Sequence, residues 1–157
     1  MAARRSSAGI LLHRDRGARL EVLLGHMGGP FWAKKDAGAW SIPKGEYEPD
    51  ENAMAAALRE FAEEMGSPAP STDLTALGTF TQAGGKMVSV WAAESDFDAA
   101  SVVSNTFRLE WPPRSGRFEE FPEIDRAEWL DLPAARAKIV KGQVAVLDAL
   151  ERLLATE

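Results

Sequence analysis

At 157 residues the chain is long enough to bury a core as one domain spanning 1–157, and its 45% apolar and 27% charged residues argue against a disordered or fibrous protein. Zero cysteines exclude disulfides and thiolate metal sites and suit a reducing cytoplasm, the expected location. A formal charge of −6 disfavours a surface that tracks long nucleic acid, and nothing approaches the run of about 20 apolar residues that spans a membrane, so neither partner is expected.

The N-terminus has the basic start of a signal peptide, but its apolar run is broken by His13 and Arg14 after about five residues and reads as a strand. The segments 7–13 and 20–26 are rich in Ile, Leu and Val. The turn-forming RDRGAR lies between them, which predicts a hairpin. Residues 27–38 form a glycine- and lysine-bearing loop, and WSIP is a short strand running into Lys44 and Gly45. An alanine-rich helix follows, bounded by Gly45 and Gly66 and stopped by SPAPST. The runs 74–82 and 86–94, joined by AGG, predict a second hairpin. TFRLEW is another strand, PPRSGR a loop and IDRAEWLDL a last strand, after which Asp131 and Pro133 suit the N-cap and first turn of a helix. The C-terminal GQVAVLDALERLLA spaces Val146, Leu147, Leu150, Leu153 and Leu154 as a core-packing helix does. No internal repeat is present. This order predicts an α/β fold, a mixed sheet with helices on both faces.

The chemistry concentrates in the first helix. At about 100° per residue, Met54, Leu58, Phe61 and Met65 share one stripe suited to packing on a sheet. Glu60, Glu63 and Glu64 converge on a separate patch, preceded by Ala53, Ala56 and Ala57, which would let a backbone or ligand approach closely. Like charges at this spacing repel. Arg59 can neutralise one of them, but hard oxygen donors crowded beside a glycine loop point to Mg²⁺ or Mn²⁺, completed by water and substrate phosphates.

Read forward, Gly45 is followed after five residues by Glu51, then after seven by Arg59-Glu60-Phe61, Ala62, Glu63-Glu64, Met65 and Gly66. This resembles the Nudix box, G-x5-E-x7-R-E-U-x-E-E-x-G-U with U bulky and apolar, over residues 45–67. At ordinary residue frequencies a chance match in a chain this long is on the order of one in a million. Ser67 departs from the last U, which implies looser packing after the helix. The resemblance implies a Nudix-type α/β/α sandwich with a mixed, curved sheet. It also implies a Mg²⁺- or Mn²⁺-dependent attack of water on phosphorus in a nucleoside diphosphate linked to another moiety.

Carried over residue by residue, the resemblance makes Glu60, Glu63 and Glu64, with the Gly45 carbonyl, the metal ligands. Glu63 is also a catalytic candidate, and Glu51 and Arg59 orient the carboxylates. The general base is sought among Glu63, Glu119, Glu120 and Glu123. Glu123 is preferred, because it resembles the glutamate before the late W-L strand of diadenosine polyphosphate hydrolases. No Ser-His-Asp arrangement is evident, and His13 and His26 read as structural.

WSIPKGEYEPDE resembles the W-x-x-P-K-G of dinucleoside polyphosphate hydrolases, which would set Lys44 beside phosphate. Lys86 opens the strand whose lysine faces the polyphosphate in those enzymes. Val90 stands where a base-stacking tyrosine is common there, so Trp32, Trp40 and Phe80 are the substitute stacking candidates. Lys34, Lys35, Arg114 and Arg117 lie in loops that could steer an anion. The expected function is hydrolysis of a dinucleoside or nucleoside polyphosphate. The alternatives are a sanitising hydrolase of damaged triphosphates or nucleotide sugars, and a non-catalytic nucleotide-binding module. The expected partner is a small nucleotide, with the chain a monomer or homodimer.

Overall fold

The structure, a computed structural model, describes residues 6–156. Strands β1 (Ser6–Arg16) and β2 (Arg19–Met27) form the expected hairpin. β1 is the hub: Ala8, Ile10 and Leu12 pack toward one face of the sheet and Leu11 toward the other, so the strand reads as a continuous apolar run rather than an alternating one. It pairs in parallel with β6 (Met87–Glu94), whose hairpin partner is β5 (Thr75–Thr81).

WSIPKG becomes two short strands instead of one. β3 (Trp40–Ser41) pairs with β2, and β4 (Lys44–Glu46) crosses over to pair with β1. Antiparallel β9 (Ile124–Asp131) adds to β2 and completes the mixed seven-stranded sheet. A strand absent from the sequence reading, β8 (Phe118–Pro122), pairs with β7 (Thr106–Glu110) in a separate two-stranded sheet. Two glutamates and a terminal proline hide its period. Its partner lies across a loop, so pairing rather than pattern makes the strand.

Helix α1 (Ala53–Met65) starts at Asn52, whose side chain accepts from the Ala55 amide at 3.0 Å, and ends at Gly66 in the left-handed conformation. Its buried face is Ala56, Ala57, Phe61 and Met65, so the expected stripe holds at Phe61 and Met65 and shifts to the alanines in the first turns. Met54 is exposed and Leu58 only partly covered. Ala56 and Ala57 admit a backbone and not a ligand: they rest on the β1 face of the sheet with Ala8, Ile10 and Leu12. Helices α2 (Leu132–Lys138), capped by Asp131 as expected, and α3 (Val144–Ala155) cover the opposite face through Ala135, Val146, Leu147 and Leu150. Leu153 and Leu154 are only partly buried against the same cluster. The result is the expected α/β/α arrangement.

Candidate active site

Pairing of β4 with β1 brings Lys44 opposite Gly9 and Gly45 opposite Ala8, directly under the acidic side of α1. The Lys44 amide donates to Glu64 Oε2 at 3.2 Å. At Gly45 the Glu60 carboxylate fills the volume of an absent side chain, since a Cβ there would stand 1.9 Å from Glu60 Oε2. Arg59 grips Glu51 with two parallel bonds, Nε to Oε2 at 3.1 Å and Nη2 to Oε1 at 3.0 Å. Its Nη1 reaches Glu60 Oε1 at 2.7 Å and lies 3.5 Å from Glu63 Oε1. This fork lets one guanidinium hold three carboxylates.

Glu123 arrives from the far end of the chain on a backbone strap. The Val103 and Asn105 amides donate to the Met65 and Glu63 carbonyls at the end of α1, at 3.3 and 2.8 Å. Asn105 in turn accepts from the Glu123 amide at 2.8 Å, and the Glu123 carbonyl accepts from Gly28 at 3.0 Å. The Ser104 hydroxyl bridges the amide and carbonyl of Ile124, both at 3.0 Å. Glu60, Glu63, Glu64 and Glu123 therefore line one cleft of about 510 Å³, together with Lys44, Gly45 and Lys86. Ser7, Asn105 and Thr106 complete it. No sequence signal marked these three, because α1 and the strap gather them only in the folded chain.

Burial pushes the Glu64 carboxyl up to about 8, with Glu60 and Glu123 adding repulsion against the pull of Lys44. Burial also raises Glu60, opposed by Arg59, and raises Glu123, opposed by Lys44. Carboxyls that resist ionisation while facing one cleft are short of positive charge, which a divalent cation supplies. Among the described residues no three acidic or imidazole groups form a ready-made chelate. The donor set fits an ion that keeps several waters and takes one or two carboxylates plus phosphate oxygens, as Mg²⁺ does.

Other expectations fare differently. Trp40 is 1% exposed, its indole N–H donating to Asp36 Oδ1 at 2.9 Å and its ring edge-on to His26, so this core residue offers no stacking face. Trp32 and Phe80 pack on the α2–α3 side of the core, outside the cleft lining. Val90 is buried there too. His26 is structural: Nε2 donates to the Lys35 carbonyl at 2.6 Å and Nδ1 meets Asp125 at 2.8 Å. His13 is buried in β1. Glu119 and Glu120 lie exposed on β8 and do not line the cleft, which leaves Glu123 as the member of that acidic run that does. Lys34, Lys35, Arg114 and Arg117 are exposed and away from the lining.

A family profile described as NUDIX domain matches residues 3–150. Among solved structures, a C. elegans Ap4A hydrolase in a binary complex aligns over 96% of this chain and 99% of its own, with TM-score 0.67 and 22% identity. The NUDIX domain of Shewanella oneidensis NrtR, complexed with ADP ribose, aligns over 98% and 90% with TM-score 0.66 and 16% identity. A Nudix hydrolase from M. smegmatis, RenU, aligns over 98% and 87% with TM-score 0.60 and 24% identity. At these identities the likeness is one of fold.

Proposed function

Since the chain belongs to the Nudix family, and is thereby a hydrolase of phosphoanhydride bonds, we propose that it cleaves a dinucleoside polyphosphate by attack of water on phosphorus. The observation that carries this reading is the convergence of Glu60, Glu63, Glu64 and Glu123 with two lysines on one cleft. Lys44 and Lys86 hold the phosphate chain as point charges. Glu60, Glu63, Glu64 and the Gly45 carbonyl would hold Mg²⁺ or Mn²⁺, on which the family generally depends. When bound, such an ion neutralises phosphate charge and favours loss of a proton from water. Glu123, kept basic by its partial desolvation and fixed by the strap, takes the proton of the attacking water. Arg59 and Glu51 hold the carboxylates in register.

The test is turnover of a panel of dinucleoside polyphosphates, nucleoside triphosphates and nucleotide sugars with Mg²⁺ or Mn²⁺, with every product identified. A dinucleoside polyphosphate is expected to give the highest kcat/KM. A triphosphate or nucleotide sugar that exceeds it overturns the substrate, and nucleotide binding without any product overturns the activity.

A further inference from the structure

Binding a nucleobase takes an aromatic face open to solvent beside the phosphate cleft. The seven-stranded sheet does not offer the expected ones, because Val90 and Trp40 are each 1% exposed and Trp32 and Phe80 are turned to the core. Of the described aromatic residues, Phe31 and Phe118 are exposed, at 56% and 51%. Phe31 sets its edge against Trp111, with ring centroids 5.4 Å apart. Phe118 lies on β8, paired opposite Glu110, and the β7–β8 hairpin is joined to the cleft: Thr106 at its base is part of the lining.

Alternation along the pair puts Thr106, Arg108 and Glu110 on the same face as Pro122, Glu120 and Phe118. That face begins at Thr106 on the cleft lining, and Arg108 stands about 7 Å beyond it along the strand. Arg108 stands opposite Glu120, yet its guanidinium lies over the Phe118 ring, 4.4 Å from the centroid. Among the described residues Arg108 enters no ion pair. A stacked guanidinium keeps its second face and its N–H edge available, one for an aromatic base and the other for phosphate. On a chain of charge −6, this is a third cation beyond Lys44 and Lys86 for an elongated anion.

We propose that the strip Thr106–Arg108–Phe118 is a second substrate subsite that takes the distal nucleotide of a dinucleoside polyphosphate, with Arg108 on its phosphate and the base stacked over Arg108 and Phe118. The inference rests on the substrate reading above. Its test is equilibrium binding, with Mg²⁺, of a methylene-bridged dinucleoside tetraphosphate and a methylene-bridged nucleoside triphosphate, neither of which is hydrolysed. Arg108→Ala and Phe118→Ala should each weaken the dinucleoside compound about tenfold and shift the triphosphate analogue less than about twofold, as loss of one stacking contact predicts. Arg108→Lys, which keeps the charge and loses the plane, should weaken it by an intermediate factor, and it carries the test if Arg108→Ala melts early. Equal weakening of both ligands, or of neither, overturns the subsite. So does wild-type protein that binds neither analogue. Wild-type protein that binds the dinucleoside analogue but never cleaves the parent compound refutes the hydrolase reading and leaves the subsite standing.

Discussion

Gly45 has no side chain where the Glu60 carboxylate needs its space. An alanine there collides with the tip of a flexible side chain and not with backbone, so the clash is relieved by moving Glu60. Gly45→Ala should therefore cost less than about 1 kcal/mol of stability yet lower kcat/KM by at least tenfold or so, checked by denaturant titration beside turnover. Glu63 tests the charge itself. It sits 3.5 Å from Arg59, and Glu63→Gln keeps its shape while removing its charge. The expected loss is at least about a hundredfold in rate with an unchanged melting temperature, the scale set by several kcal/mol of transition-state charge stabilisation. Turnover equal to wild type would remove Glu63 from the proposed ligand set. The identity of these residues was legible in the sequence, because the box is local and its helix fixes their relative direction. The stacking role of Trp40 was misread: a tryptophan beside a phosphate-binding loop looks like a platform until β3 is seen to bury it.

At the scale of elements, the site is a junction among α1, β4 and the start of β9, and the strap at residues 103–105 holds it together. Gly28 is the tightest point of that junction, because a Cβ there would meet the Pro122 carbonyl oxygen at 1.9 Å and only backbone movement could relieve it. Its amide also bonds the Glu123 carbonyl. Gly28→Ala should destabilise the fold by about 2 kcal/mol and displace Glu123. The reduced rate should persist at temperatures where the variant remains folded, read by turnover well below its melting point. Wild-type rates in that variant would show that Glu123 needs no exact placement. The two hairpins of the seven-stranded sheet were legible from apolar runs and turns. The β7–β8 hairpin was half legible, since Glu119 and Glu120 resemble a solvated loop until pairing with β7 makes them a strand.

For the whole molecule, the acidic cleft couples folding to pH and metal. The Glu64 carboxyl is pushed up to about 8 from an ordinary 4.5, so the folded chain keeps a proton that the unfolded chain releases. Stability without metal is then fully present below about pH 4.5 and is lost as pH rises toward 8, by a few kcal/mol at roughly 1.36 kcal/mol per pH unit within the window. The proposed metal would need the ionised carboxylate, so its binding would oppose this loss and gain strength over the same range. Melting in chelator should fall between pH 5 and 8. Added Mg²⁺ should raise it little at pH 5 and markedly at pH 8, and Glu64→Gln should flatten both trends. A chelator profile that rises with pH, or an Mg²⁺ shift independent of pH, would contradict this electrostatic account.

The sequence by itself determined the chemistry, because the spacing of Glu51, Arg59, Glu60, Glu63 and Glu64 lies within a single loop and helix, where local geometry is enough. It also determined the layering, since apolar period and turn residues are properties of short segments. The likeness to known enzymes already pointed to Glu123 and Lys86, and only the tertiary structure brought them to that helix, added Ser7, Asn105 and Thr106 from separate elements, left Glu119 and Glu120 outside, and removed Trp40 to the core. Those placements depend on strand pairing and on backbone bonds between residues far apart in the chain, such as Gly28 to Glu123 and Asn105 to Glu63, and no local pattern encodes them.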